Sequence, residues 1–221
     1  ILIDLAGLTR GMRAHLLIAR AAPVQVTYLG YPNTTAMPNV DVRLVDSITD
    51  PAGAESLATE RLVRLDPCFL CYTPPPVARD IAARGAADES PVTFGSFNYL
   101  TKVTPTTLEL WAAILKRVPG SRLVLKAEAL RFPGVRERVT RALAERGIEA
   151  WRVELIPYVE SLADHYRLYH RIDVALDPFP YHGTTTTCEA LYMGVPVIAL
   201  AGDRHASRVG VSLLTAGGVP E

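Results

Sequence analysis

Residues 172–192 read IDVALDPFPYHGTTTTCEALY, and residues 195–202 continue with VPVIALAG. An apolar run of strand length, a loop bearing Pro and Gly, a helical segment and a second β-rich run predict strand, loop, helix and strand in immediate succession. The same alternation runs upstream. VTFGSF (92–97), SRLVLKA (121–127) and VELIPY (153–158) read as strands, with helices over 104–120 and 134–146 and one starting near 160–164. The first of these helices has Thr104 as its N-cap, Pro105 at its first position and Pro119-Gly120 as its terminator; Gly147 ends the second. Strand and helix alternating in this way predict a doubly wound parallel sheet over 91–221, a fold that takes ligands at the carboxyl ends of its strands.

The first third of the chain reads as part of a second α/β layer, placed at 1–80. Its candidate strands are ILIDLAG (1–7), VQVTYLG (24–30) and VRLVD (42–46), with a helical stretch over 11–20 and a polar loop, YPNTTAMPN, over 31–39. Pro74 to Pro76 and the Ala-rich stretch up to Ser90 form the linker candidate, so a boundary is expected near 74–91. A core strand at the very first residue, and a stop at 217–221 just after a helical pattern, suggest a piece of a longer protein with an incomplete N-terminal lobe.

The 221 residues are 49% hydrophobic and 21% charged, enough to bury one substantial core or two modest ones. Twenty-three basic residues balance twenty-three acidic ones, so there is no global field for nucleic acid or an anionic membrane, and any phosphate binding must be local. No run is long and apolar enough to span a membrane, and no signal-peptide pattern opens the chain, so a cytoplasmic location is expected. Three cysteines, Cys68, Cys71 and Cys188, are an odd count that suits reduced thiols. Cys68 and Cys71 have C-x-x-C spacing, but no second pair or nearby His completes a zinc shell, and no metal is expected.

Four consecutive threonines, Thr184 to Thr187, are poor in a helix interior and good at a helix start, where hydroxyls accept from orphan backbone N–H groups. Behind Gly183 and after a strand, this turn reads either as a well-capped helix or as an anion site that a pyrophosphate would fit. Lys102, at the end of FGSFNYLTK (94–102), stands where a cation would meet a leaving diphosphate, although a solvated loop lysine is the simpler reading of that residue alone. His165 lies near a helix start, where its ring would stack on a base. His182 is open between a loop hydrogen bond and a sugar contact, and His15, His170 and His205 read as helix-surface or loop residues. Neither G-x-G-x-x-G nor G-x-x-x-x-G-K-[ST] nor G-x-S-x-G is present.

The segments VQVTYLGYPNTTAMPNVD (24–41), FGSFNYLTKVTPTTLELWAAILKRVPGSRLVLK (94–126) and ALDPFPYHGTTTTCEALYMGVPVIALAGDRHASRVGVSLL (175–214) resemble the bacterial O-GlcNAc-transferase-like glycosyltransferases, of the protein O-GlcNAc transferase and SPINDLY type, which usually carry tetratricopeptide repeats. The resemblance covers nearly the whole chain. It implies a GT-B fold of two Rossmann-like lobes, with the donor nucleotide in the C-terminal lobe. Asn98 and Lys102 then match the loop contacting the donor phosphates, with Lys102 catalytic, and Thr184, Thr185 and Thr186 match the phosphate site at the helix start. His165 matches the residue packing on the base, and Glu189 stands where animal enzymes have an Asp on the ribose. Leu29, Gly30, Tyr31 and Pro32 match the loop that lies against the donor sugar, and His182 is placed near the sugar as well.

The implied reaction is inverting, metal-independent transfer of N-acetylglucosamine from UDP-GlcNAc to Ser or Thr of a protein acceptor, recruited by repeats outside this chain, with no cofactor beyond the UDP-sugar co-substrate. Some features depart from the family pattern. Gly7-Leu8-Thr9 stands where relatives often have Gly-His-Thr, Pro67 and Cys68 fall where animal enzymes place an active-site His, Leu162 replaces a Lys, and His182 replaces an Asn. These leave three alternatives open: GDP-fucose O-fucosyl transfer, UDP-glucose N-glucosyl transfer, and a non-catalytic nucleotide-sugar scaffold. A UDP-GlcNAc 2-epimerase would need acidic and His groups for which the sequence offers no clear set.

Overall fold

A computed structural model of the chain describes residues 1–9, 11–83, 85 and 90–219. Contacts divide it into two compact units: Ile1–Cys71 joined by the segment from Ala201 onward, and Tyr72–Leu200. In the first unit four parallel strands lie in sequence order, β1 (Leu2–Asp4), β2 (Gln25–Thr27), β3 (Val42–Val45) and β4 (Arg61–Arg64). Ile3 pairs with Val26, Val26 with Val42, and Arg43 with Leu62. The sequence reading contains the first three strands and lacks β4. Only Leu62 and Val63 are apolar in Arg61-Leu62-Val63-Arg64, so periodicity gives too short a signal, and the flanking arginines obscure it. The helix expected over 11–20 is shorter, α1 (Ala14–Ile18).

The second unit begins with α2 (Pro76–Arg79), a single turn inside the expected linker; Arg84 and residues 86–89 of that stretch lie outside the described residues. Its sheet comprises β5 (Thr93–Ser96), β6 (Arg122–Lys126), β7 (Val153–Ile156), β8 (Val174–Leu176) and β9 (Val197–Ile198), all parallel, in the order β7-β6-β5-β8-β9. Chain order runs outward from β5 in one direction and then returns to its other side with β8. The gap between β5 and β8 is therefore the topological switch point, where the connections leaving two adjacent strands diverge and open a crevice.

Four helices of this unit, α3 (Pro105–Arg117), α4 (Pro133–Ala144), α5 (Leu162–Arg167) and α6 (Thr185–Tyr192), follow β5, β6, β7 and β8. Thr104 caps α3 as expected, accepting the Thr107 N–H, while Thr107, Trp111, Ala112 and Leu115 form its buried stripe. Beneath it lies a core of Phe94, Leu123, Leu125, Leu130, Leu143, Ile148 and Leu176. Gly95, in the middle of the central strand, gives Ile172 room, since a Cβ there would fall 2.5 Å from Ile172 Cγ2.

From Ala201 the chain packs with the first unit and ends in α7 (Val209–Ala216), whereas the sequence reading kept 91–221 together. Polar burial explains the difference. Asp46 and Asp50, buried just beyond β3, receive Ser212 Oγ at 2.6 Å and the His205 ring nitrogen Nδ1, and Arg208 Nε donates to the Ile48 carbonyl at 2.6 Å. His205 is accordingly a buried residue and not the surface or loop residue its position suggested.

Replacing Gly95 by Ala forces that Cβ against Ile172 and should destabilise the protein by about 1–3 kcal/mol, with Ile172→Val restoring part of the loss in the same background. Chemical denaturation measures both; an unchanged midpoint for Gly95→Ala would contradict the close approach.

Candidate functional site

The carboxyl end of β8 carries Asp177, a carboxyl group with only 9% of its surface exposed, and burial pushes its pKa up. A buried carboxyl needs donors, and the following loop turns back to supply them. Gly183 N–H donates to Oδ1 at 3.2 Å, and Thr187 Oγ1 lies 3.2 and 3.1 Å from the two oxygens. Gly183 is required here for space: an added Cβ would sit 2.5 Å from Thr186 Oγ1, 2.6 Å from Thr187 Oγ1 and 2.8 Å from Asp177 Oδ1. The loop is also stitched to the start of α3, where Thr104 and Thr107 hydroxyls donate to the Phe179 carbonyl at 2.9 and 2.7 Å.

Across the switch point, the end of β5 delivers Asn98 and Lys102. Asn98 is buried; its Oδ1 accepts from Thr186 Oγ1 at 3.1 Å and its Nδ2 lies 3.5 Å from Asp177 Oδ1. Lys102 ends a 3-10 turn, Leu100–Lys102, donates to the His182 backbone carbonyl at 2.7 Å, and lies 4.2 Å above the Tyr181 ring. Burial pulls its ammonium pKa down to about 8, against the opposing pull of Asp177. This cation is held between two loops, beside a helix N-terminus.

The threonine run differs in detail from its sequence reading. Thr184 stands at the N-cap of α6 but makes no side-chain cap bond, and the hydroxyls of Thr186 and Thr187 face Asn98 and Asp177. The hydroxyls thus organise the loop, and the cap side chain leaves the first N–H groups of α6 to other partners. His182 is 1% exposed, with Nε2 donating to the Leu200 carbonyl at 3.0 Å; its ring is part of the loop's packing, and burial lowers its pKa.

A second cluster lies at the same edge of the sheet. His165, in α5, has 12% of its side chain exposed and bonds on both sides: Nδ1 to Lys126 Nζ at 3.1 Å and Nε2 to Glu189 Oε2 at 2.9 Å. Tyr169 OH donates to the same Glu189 oxygen at 3.0 Å, and the Tyr169 ring packs 4.7 Å from Phe97, beside Asn98. The structure thus brings Asn98, Lys102, His165, Thr184, Thr185, Thr186, Glu189 and His182 to one edge of one sheet. Leu29, Gly30, Tyr31 and Pro32 belong to the other unit, where Gly30 packs on the Leu5 carbonyl so closely that a Cβ would sit 2.2 Å from its oxygen.

Asp177, Lys126 and Tyr169 escaped the sequence reading. For the first two a signal existed: each is a charged residue ending or just following an apolar strand, in IDVALD and RLVLK, at the edge where this fold binds ligands. Among the described residues no cluster of three or more His, Cys, Asp or Glu could hold a metal ion, no disulfide joins Cys68, Cys71 or Cys188, and no helix is long and apolar enough to cross a membrane.

The sequence profile of glycosyl transferase family 41 matches residues 1–73 and 79–221. The chain belongs to this family. It is 49% identical over 215 residues, 97% of its length, to an Arabidopsis thaliana protein named probable UDP-N-acetylglucosamine–peptide N-acetylglucosaminyltransferase SPINDLY, of which it covers 24%. To the Arabidopsis thaliana protein of the same description named SEC it is 32% identical over 228 residues, 99% of this chain and 23% of that one. It therefore spans about a quarter of the length of these relatives. Among solved structures, a Thermobaculum terrenum O-GlcNAc transferase mutant superposes with a TM-score of 0.91 at 42% identity, covering 99% of this chain and 41% of that one. The trehalose-6-phosphate synthase OtsA, at TM-score 0.55 and 13% identity over 92% of this chain and 61% of its own, shares the fold alone. The two parallel-sheet units are those of the GT-B glycosyltransferases.

Gly183→Ala displaces two threonine hydroxyls and the Asp177 carboxyl together and should destabilise the protein by about 1–3 kcal/mol. Denaturation midpoints and hydrogen exchange at the start of α6 measure this; wild-type values for both would contradict the packing described.

Proposed function

We propose that this chain carries the donor half of an inverting, metal-independent glycosyltransferase that moves N-acetylglucosamine from UDP-GlcNAc to Ser or Thr hydroxyls of proteins. The observation that carries the reading is Lys102, a half-buried cation at the switch point between β5 and β8, beside Asn98 and the first turn of α6. The names of the family 41 relatives and the high similarity to an O-GlcNAc transferase structure support the donor and the acceptor class.

In this reading the diphosphate lies at the start of α6, with Lys102 turned to it from the His182 carbonyl. As an acceptor hydroxyl attacks the anomeric carbon in line and releases its proton to water or a base, the bond to the diphosphate oxygen breaks and negative charge accumulates there. The ammonium and the N–H groups of the helix start stabilise that charge more in the transition state than in the ground state. His165 packs on the base and Glu189 lies at the ribose end. Leu29 to Pro32 serve the sugar, and His182 acts there through its loop. The acceptor protein is recruited by helical repeats outside this chain, and the reaction is assigned to the cytoplasm.

Thermal unfolding of the full-length protein with UDP, GDP, UDP-GlcNAc, UDP-glucose and GDP-fucose tests the donor. UDP and UDP-GlcNAc should raise the midpoint, a ligand at a hundred times its Kd adding about 2.7 kcal/mol. A shift with GDP and GDP-fucose alone would replace the donor by a fucosyl one, and no shift with any of them would remove the donor site. Lys102→Ala should lower turnover by about 100-fold or more while sparing acceptor binding; unchanged turnover would remove Lys102 from the catalytic step, whereas a wild type that binds its partner with no turnover would argue for a scaffold.

The pKa of about 8 on Lys102 fixes the sign of a pH effect. The charged form falls as pH rises through that value, so UDP affinity should drop about tenfold from pH 7 to pH 9. Lys102→Arg, always charged, should flatten the profile; calorimetry at both pH values measures it, and a flat wild-type profile counts against Lys102 as the diphosphate's cation.

A further inference from the structure

Two residues of the second cluster have a geometry that the donor reading leaves unexplained. Lys126 closes β6 and puts Nζ 3.1 Å from His165 Nδ1, while Glu189, in α6, faces His165 Nε2 at 2.9 Å. Each partner is chemically one-way, for an ammonium only donates and a carboxylate only accepts. Nδ1 must then offer its lone pair to Lys126, and Nε2 must carry the hydrogen that goes to Glu189. An imidazole bonded at one nitrogen can still swing about its bond to Cβ; bonded at both, it is fixed in plane as well as in tautomer.

The clamp is itself held. Tyr169 OH donates to Glu189 Oε2 at 3.0 Å and lies 3.2 Å from the Thr186 carbonyl, and its ring packs against Phe97. The His165 ring is thereby joined to the first turn of α6 and to the end of β5, the two elements that frame Lys102. One positive and one negative side chain flank an uncharged ring, so the cluster presents little net charge. That suits an uncharged heterocycle, whereas a second phosphate would call for a net positive site.

We propose that Lys126 and Glu189 are positioning residues that lock His165 as the neutral Nε2–H tautomer in a single ring plane, giving the donor's base a preformed surface. The nature of what packs on the ring rests on the function proposed above; the tautomer and its two anchors do not. A preformed ring raises affinity because the side chain need not be ordered when the ligand arrives.

The test uses the full-length protein with UDP, GDP and inorganic pyrophosphate as calorimetric probes. Lys126→Met should weaken whichever nucleotide the wild type binds by about tenfold, leave pyrophosphate affinity unchanged, and be largely rescued by Lys126→Arg, which again donates to Nδ1. Unchanged nucleotide affinity, or an equal loss for pyrophosphate, would overturn the proposal. Independently of any ligand, nitrogen NMR on histidine-labelled protein, with His165 assigned through His165→Gln, should show the proton on Nε2 in the wild type and a mixture of tautomers in Lys126→Met. A wild-type proton on Nδ1 removes the clamp whatever the nucleotides do. Should the wild type bind neither nucleotide, the donor assignment falls and the tautomer still decides this proposal; if Lys126→Met fails to fold, Lys126→Arg and the wild-type spectrum carry the test.

Discussion

A carboxyl group buried at the end of a parallel strand has few ways to be satisfied, and the route of the chain from Asp177 to Thr187 is one of them. The loop returns so that the Gly183 N–H and the Thr187 hydroxyl reach Asp177, and in doing so it brings the His182 carbonyl within 2.7 Å of Lys102. An apolar residue at 177 would leave the Gly183 N–H and the Thr187 hydroxyl without this acceptor. Because the group lies between β5 and β8, the demand of one side chain is met at the place where the strand order leaves a crevice. Local polar satisfaction and global topology thus act on the same few residues.

Two chemically different halves result along this edge. Around Lys102 the environment is strained: a cation is partly stripped of water, and the carboxyl whose charge acts on it, Asp177, has its own pKa raised by burial. Such a site is improved by an arriving anion, which supplies the charge that water would have provided. Around His165 the environment is balanced, with Lys126 and Glu189 offsetting each other. A molecule with an anionic end and a neutral flat end matches the pair of halves better than either a simple anion or an apolar compound does.

Much of this architecture was legible in the sequence where local signals and long-range packing agree. Thr104, Pro105 and the buried stripe of α3 announce a helix and its start, and IDVALD, VTFGSF and RLVLK are apolar enough to announce strands. The fourth strand of the first unit was not legible because Arg61 and Arg64 bracket two apolar residues, and Arg64 is placed by a bond to the Asp50 carbonyl, 14 positions away. His205 was misread for a similar reason. Its burial is decided by Asp50, 155 positions away, and no local pattern encodes a contact of that span. The threonine run showed where a helix begins, but Thr186 and Thr187 bond to residues of other elements, so their hydroxyl partners could not be read from the run itself.

The anchor of Lys102 is a main-chain carbonyl, so the identity of residue 182 does not enter that contact. The side chain there makes a separate contact, its Nε2–H aimed at the Leu200 carbonyl, and it also feels the charges of Asp177 and Lys102. A change of side chain at 182 therefore leaves in place the carbonyl that anchors the lysine. For anyone redesigning the loop, this is the residue to vary first.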